Sequence, residues 1–392
     1  MPNEKKNINI GFIINYRLNG WLGVTNYYLN LFNTIKSLSK KRNDKIKITI
    51  ITDDFITNEE KTYFKNLKII KTKNLNRKSK LIKFLNLFQI IFLGKNFFFE
   101  KFLKKNNIDI VSHTSYLGFR SQIPSIKWFP DFQEYHFPSN FGLKQKIARR
   151  LDLILSRIHS TKLLVSSQSV LGDLYKINKK AYMKTIVLNH FNKLDNEKIK
   201  KISIIEKKYN IKIPKNFIYL PNHYWKHKNH LTVFRSINFI KKRLNKKIYL
   251  VTTGNKNDYR FPDHKKNLEN YLEKNGIKNQ VFHLGIISKG EVYCLMKNCK
   301  LMINPSLSEG WGNAIDNAIN FKKYILLSKI PAHLEQNPPN GIFFESKNHK
   351  KLAKIILNYL NKKNPTSKML KDYKFNSLNF YLNYKKTIKS LL

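Results

Sequence analysis

The chain has 392 residues, 42% hydrophobic and 13% aromatic, enough for two domains with cores of their own and too apolar for a disordered polyelectrolyte. Lys and Arg number 74 against 25 Asp and Glu, a net charge of +49 or one per eight residues, which favours anionic partners without specifying a fold. Cys294 and Cys299 stand five apart in a stretch of helical character, which excludes a disulfide framework and a thiolate metal centre and predicts a reducing, cytoplasmic setting.

MPNEKK leads straight into a β-rich run, and no stretch of roughly 18 apolar residues is uninterrupted, so neither a secretory signal nor a membrane span is expected. Strands are predicted at 7–15 (NINIGFIIN), 45–52 (KIKITIIT) and 67–71, with a helix over 24–38. Residues 80–105 read KLIKFLNLFQIIFLGKNFFFEKFLKK, with Lys83, Lys95, Lys101, Lys104 and Lys105 set among Leu, Ile and Phe. Two readings fit: an amphipathic segment lying on an anionic membrane surface, or a core-packed helix pair joined at Gly94. Further strands at 108–112, 125–129 and 163–166, with a basic helix over 144–158, continue the alternation of a parallel α/β domain. Residues 185–195 read TIVLNHFNKLD, and the charge-rich stretch that follows, to 215, reads as an interdomain connection. A second series follows, with strands at 217–220, 247–252, 281–284, 301–303 and 324–327. The organisation expected is residues 1–192 and 193–370 as two Rossmann-like units, with a C-terminal helix in 371–392 packing back on the first.

Ligands of doubly wound sheets bind at the carboxyl ends of the strands, so the chemistry is sought in the loops there. INPSLSEGWGNAIDNA (303–318) places Glu309 beside Gly310, Trp311 and Gly312 just before a helix that starts at Asn313. The glycines let backbone approach a ligand, the helix start offers N–H groups to phosphate, and a carboxylate there suits sugar hydroxyls. LPNHYWKHKNH (220–230) follows a strand and crowds His223, Lys226, His227 and Lys228 into one loop, cations suited to a diphosphate. A metal on His223, His227 and His230 is not expected, because the adjacent lysines repel it. NYRLNGWLGVTNYY carries Gly20 and Gly23 ahead of the first helix, and later strand ends add His113, Asp131 and His136. Trp21, Trp128, Trp225 and Trp311 all fall at or beside these loops, where flat aromatic faces can stack on base or sugar.

In order along the chain these pieces resemble the retaining glycosyltransferases of family 4. The stretch FHLGIISKGEVYCLMKNCKLMINPSLSEGWGNAI is similar to the family's strand, helix and PS-x-x-EGFG loop, and YLPNHYWKHKNHL to its G-R-x-x-x-x-K-G loop. WFPDFQEYHFP resembles an acceptor-side segment, with Asp131 and His136 on it, and LVSSQSVLGDL the family's V-S-x-x-x-x-x-x-L. The resemblance implies the α/β GT-B fold, two doubly wound Rossmann-like domains facing a central cleft. It also implies transfer of a sugar from a nucleotide-sugar to a glycan or lipid-linked acceptor with retention, no metal and no cofactor, in bacterial polysaccharide or lipopolysaccharide biosynthesis. Glu309 then matches the first acid of the family's Glu-x7-Glu motif, Lys228 the lysine at the diphosphate, Gly23 the amino-terminal glycine near the phosphates, and His113 the histidine near the reacting centre. Gly310, Trp311, Gly312, Asn313, His223 and Lys226 complete the expected donor site.

Two positions depart from the pattern. The arginine five residues before the lysine is His223, a titratable group where the family has a fixed cation, with Lys226 near to assist. The second Glu of Glu-x7-Glu falls on Asn317, and neighbouring Asp316 lies about 100° around the helix. The rival reading is a GT-B paralogue without strong activity that serves as a basic binding protein for anionic lipid or nucleic acid. Lys is spread over the whole chain together with Asn and Ile, as AT-rich coding drift would spread it, so nucleic acid is not the expected partner.

Overall fold

A computed structural model of the chain describes residues 7–14, 22–53, 57, 61, 64, 66–75, 79–113, 116–194, 197–371 and 373–392. Gly20 and Trp21 of the amino-terminal loop lie outside the described residues. The chain divides into two compact units, Met1–His190 with Phe375–Leu392, and Phe191–Lys374.

In the first unit the β-branched runs form parallel strands β1 (Ile8–Ile13), β2 (Ile46–Thr52), β3 (Lys68–Lys71) and β4 (Ile110–Val111), in the order β3-β2-β1-β4. Strands β5 (Ile126–Phe129), β6 (Lys162–Val165) and β7 (Thr185–Val187) form a second parallel set, joined to β4 by the bridge Val111 to Ser125. Strand β4 is shorter than its apolar run because only Ile10 and Gly11 of β1 pair with it. Strand β7, three residues long, lies in the run TIVLNHFNKLD, to which the sequence reading assigns no strand. Helix Leu22–Lys41 buries Tyr27, Tyr28, Leu31, Phe32 and Ile35 against β1 and β2, the i, i+4 spacing of one helical face. Helix Ser377–Lys389 adds Phe380, Tyr381, Tyr384 and Ile388 to the same core and is tied to it where Tyr381 donates to Asp44 and Tyr384 to Ser112.

The apolar run 80–105 is two helices, Lys80–Phe92 and Phe97–Lys105, bent by 97°. Phe99 and Leu103 face inward, in a core with Ile13 and Ile51, whereas Leu81, Phe84, Phe88, Phe92 and Phe98 are exposed. No single helix among the described residues is long and apolar enough to cross a membrane.

The second unit carries six parallel strands in the order β10-β9-β8-β11-β12-β13, namely β8 (Phe217–Leu220), β9 (Tyr249–Thr252), β10 (Val281–His283), β11 (Leu301–Asn304), β12 (Ile325–Ser328) and β13 (Gly341–Phe344). The last of these is not legible in the sequence, where a short GIFF follows two prolines. Helix His230–Leu244 covers the sheet with Val233, Phe234, Ile237 and Ile240, each fully buried. Burying such a side chain stabilises the fold by about 1.5–3 kcal/mol. Strand order reverses between β8 and β11, and the loops that leave their carboxyl ends hold His223, Lys226, Lys228 and Glu309.

Candidate functional site

The loop after β8 is tied to the loop after β11 by one backbone bond and by the Asn229 side chain, which also reaches the loop after β13. Leu307 N–H donates to the His227 carbonyl at 2.8 Å, and Asn229, at φ 57° before helix His230–Leu244, donates its amide to the carbonyls of Pro305 (3.0 Å) and Ser346 (2.7 Å). This clamp sets Lys228 Nζ 2.7 Å from Glu309 Oε1, with both side chains about one-seventh exposed, 14% and 13%. The Ser306 hydroxyl lies 2.7 Å from both Glu309 Oε1 and Asn304 Oδ1. Asn222 donates to Asn304 Oδ1 at 3.0 Å, and Asn304 Nδ2 lies 3.3 Å from His333 Nε2. His333 donates from Nδ1 to the Ser328 carbonyl at 2.9 Å, which leaves Nε2 as the acceptor. Burial opposes ionisation of Glu309, but the charge of Lys228, together with the hydrogen bonds from Lys228 and Ser306, outweighs it, and the carboxyl is held below its ordinary range. The result is an ionised carboxylate and a lysine, fixed by neutral amides and reachable from solvent.

His223 sits beside this pair in a definite state. Its Nδ1 accepts from the Asn255 N–H at 2.7 Å, and burial followed by the charge of Lys228 lowers its pKa to about 4. It is therefore a neutral Nε2–H donor at physiological pH and not the titrating cation that the sequence suggests. Gly254, at φ 112°, lets the two loops approach, since a Cβ there would meet the His223 backbone nitrogen at 2.8 Å.

Lys226 turns away: its ammonium lies 4.2 Å over the Phe261 ring while its backbone N–H donates to Asp258, so its charge is engaged outside the Lys228–Glu309 pair. Trp225 is flanked by His223 at 5.0 Å and by the Arg260 guanidinium at 5.6 Å, and Asp258 holds that guanidinium at 2.9 Å.

Gly310 and Trp311 are buried, and Gly312 N–H donates to Gln336 at 2.9 Å where helix Asn313–Asn320 begins. Trp311 is only 7% exposed, a wall of the unit and not an open stacking face. Asp316 is fully buried, accepts from Asn192 N–H at 2.9 Å and from the Tyr373 hydroxyl at 3.4 Å, and is pushed by burial well above the carboxylate range. It braces the segments where the chain enters and leaves the second unit, so it does not stand in for the missing second Glu. Asn313 and Asn317 are half-buried one turn apart on the same helix.

In the first unit, His113 follows β4 at φ 60°, buried, with Nε2 2.6 Å from the Tyr27 hydroxyl and Nδ1 2.8 Å from the Ser112 hydroxyl. Its pKa falls to about 3, from burial first and His190 second. Trp128 stacks on Tyr27 at 4.3 Å, inside the same aromatic cluster. Both ring nitrogens of His113 are engaged, so as placed it orders the core and offers no open base. Gly23 is exposed in the first turn of helix Leu22–Lys41. Asp131 accepts weakly from Gln133 N–H at 3.3 Å, and His136 pairs with Asp173 at 2.7 Å, a hydrogen bond that raises its pKa.

Sequence reasoning missed Asn304, Ser306, Asn222, Gly254 and His333. The first two lie inside the quoted motif, as residues of the strand end itself. His333 comes from beyond β12 and has no local signal, because only the fold brings it to Asn304.

Residues 201–377 match the family model described as glycosyl transferases group 1. No curated protein sequence matches the chain significantly. Among solved structures it is similar to a glycosyltransferase from Rickettsia africae ESF-5 (16% identity, TM-score 0.64, covering 98% of this chain and 97% of that one). It is also similar to Anabaena Alr3699/HepE solved with UDP-glucose (15%, 0.67, 98% and 100%), and to WaaG, a glycosyltransferase involved in lipopolysaccharide biosynthesis (15%, 0.56, 96% and 95%). The chain thus has the GT-B fold, and its second unit carries the glycosyl transferases group 1 pattern.

Proposed function

We propose that the chain is a family 4 glycosyltransferase that moves a hexose from a nucleotide-sugar to a glycan or lipid-linked acceptor with retention of configuration. The observation that carries this reading is the Lys228–Glu309 pair, held at the carboxyl ends of β8 and β11 in the part of the chain that matches the family model. The solved complex of Anabaena HepE with UDP-glucose supports a nucleotide-sugar donor, and WaaG a role in bacterial surface polysaccharide synthesis.

In this reading the bond from the anomeric carbon to the diphosphate breaks, and the acceptor oxygen bonds to the same face of that carbon. The acceptor proton passes to the departing phosphate oxygen. Lys228 leaves Glu309 for the diphosphate and neutralises the charge that grows there, with His223 Nε2–H as a neutral donor and the N–H groups at the start of helix Asn313–Asn320 as further ones. Glu309 accepts from hydroxyls of the sugar, and its negative charge lies close to the oxocarbenium-like centre. Charge compensation falls to Lys228 and backbone N–H groups, so transfer proceeds without a metal or cofactor. The first unit, with Gly23, Asp131 and His136, takes the acceptor side, and His113 acts there as a positioning residue. The two free thiols, Cys294 and Cys299, both buried, fit a cytoplasmic setting.

Incubating the protein with UDP-, GDP- and ADP-linked sugars tests the proposal. One of them releases its nucleotide, and NMR of the sugar product shows the anomeric configuration of the donor. Nucleotide binding without turnover of any donor would favour the binding-protein reading, and an inverted product would overturn retention.

A further inference from the structure

The first unit carries an apolar surface that the transfer reaction does not use. On helix Lys80–Phe92 the exposed residues Leu81, Phe84, Leu85, Leu87, Phe88, Ile91 and Phe92 fall within an arc of about 160°. Helix Leu143–His159 repeats the pattern: Leu143, Ile147, Leu151, Ile154 and Ile158 are all exposed and fall within an arc of about 80°. A soluble helix buries such a stripe. Here Leu153, Ser156 and His159 on the opposite side face the protein instead.

The two stripes are joined through one loop. Arg120 N–H donates to the Gly94 carbonyl at 2.9 Å and Asn96 N–H to Leu117 at 3.1 Å, which fixes the loop to the bend between helices Lys80–Phe92 and Phe97–Lys105. Gly118 N–H donates to the His159 carbonyl at 3.1 Å, which fixes it to the end of the other helix. Gly118, at φ 113°, has no room for a side chain, since a Cβ would lie 2.2 Å from the Gly94 oxygen. Phe119, 59% exposed, stands at this junction with its ring 5.8 Å from that of His159.

Charge selects the occupant. Lys95 and Lys104 are drawn to Glu100 and Arg149 to Glu134. Lys83, Lys101, Lys105, Lys144 and Arg150 border the stripes with no acidic partner among the described residues. A second copy of the chain would set these cations against themselves. We infer that the outward faces of these three helices and Phe119 form one surface that lies flat on an anionic phospholipid bilayer, apolar side chains among the acyl chains and cations at the headgroups. Insertion across the bilayer is opposed by the 97° bend and by Phe99 and Leu103, which anchor the pair in the core.

Flotation of the whole protein with phosphatidylglycerol–phosphatidylcholine vesicles tests this, with pure phosphatidylcholine as the neutral arm. The wild type floats with the anionic vesicles, less with the neutral ones, and less as salt rises. Leu143→Ser/Ile147→Ser/Leu151→Ser and Phe84→Ser/Phe88→Ser/Phe92→Ser each lower partition by about tenfold or more, with wild-type melting curves and donor hydrolysis. The all-Gln variant of Lys83, Lys101, Lys105, Lys144 and Arg150 keeps every apolar contact and also loses the preference for anionic vesicles. Wild-type flotation by the Leu143 triple variant would remove helix Leu143–His159 from the surface. A wild type that stays out of the vesicles but sediments as a dimer, broken by either Ser triple, would assign the surface to a second copy and overturn the inference.

Discussion

Where the first sheet reverses its strand order, between β1 and β4, the loop presents His113; where the second reverses, between β8 and β11, the loops present Lys228 and Glu309. Both positions are where doubly wound sheets bind ligands. His113 is sealed among Tyr27, Tyr28, Trp128 and Tyr384, neutral, with a hydroxyl on each ring nitrogen. Glu309 is held ionised beside Lys228, and each side chain keeps a share of solvent exposure. The same topology thus yields a rigid support in one unit and a partly exposed ion pair in the other, the pair on which the proposed transfer rests. The difference lies in which side chains share the strand end: aromatics around His113, small amides and Ser306 around Glu309.

Substitutions that remove each group separate the two roles, and the largest effect falls on Glu309. Glu309→Gln keeps the shape but removes the charge from the sugar site, and transfer falls by about 10²–10³, or 2.7–4 kcal/mol, in a nucleotide-release assay. Diphosphate affinity stays or rises, since Lys228 loses its competitor. Wild-type turnover by this variant would make the ion pair merely structural.

His113→Ala inverts the outcome. Two hydroxyls lose their partner in a buried cluster, and unfolding becomes easier by about 1–3 kcal/mol in denaturant titration, with donor affinity unchanged. An undiminished stability with lost transfer would return His113 to the reacting centre.

Acid sharpens the comparison further. A histidine whose pKa is depressed on folding is protonated in the unfolded chain below about 6.5 but not in the folded one, so its contribution is lost as pH falls from there toward the folded value. The first unit has His113 at about 3 and His159 lowered, both by burial first, while His136 is raised by its bond to Asp173 and gains as pH falls. The second has His223 at about 4 and His227 and His283 at about 3, with His230 well below its ordinary value, all by burial first. Asp316, raised, runs the opposite way and gains as pH falls through its folded pKa, one group against several. Thermal unfolding followed by hydrogen-exchange mass spectrometry shows the second unit losing more stability than the first between about pH 7.5 and pH 5.5. An equal loss in both units would mean that these histidines are hydrated.

Much of this was readable from the chain. Alternating β-rich runs marked eleven of the strands, because each is a short apolar segment ending at a polar loop, and Glu309 and Lys228 stood in motifs next to strand ends. Strands β7 and β13 escaped because three or four residues carry no periodicity of their own. The protonation of His223 escaped because its fixing bond comes from Asn255, on a different strand's loop. The aim of Lys226 was set by Phe261, far along the chain, and the engagement of His113 by Tyr27 and Ser112, which only the fold brings to its ring.

The smallest of the effects concerns Asn317, half-buried where the family pattern has an acid. With Asp316 committed to Asn192 and Tyr373, a carboxylate at 317 has the position to itself, and Asn317→Glu tightens donor binding by roughly 1 kcal/mol, about fivefold. Weaker binding by this variant would show a pocket rebuilt around the amide.

In the proposed function the second unit binds a nucleoside diphosphate through Lys228. Calorimetric titration of UDP, GDP and ADP into the wild type, Lys228→Ala and Glu309→Gln tests it most directly. One nucleotide binds the wild type, its Kd rises about tenfold or more in Lys228→Ala, the loss of a charge-assisted contact of about 1.5–3 kcal/mol, and it is unchanged or lower in Glu309→Gln. An affinity that survives Lys228→Ala, or that disappears with Glu309→Gln alone, would contradict the assignment.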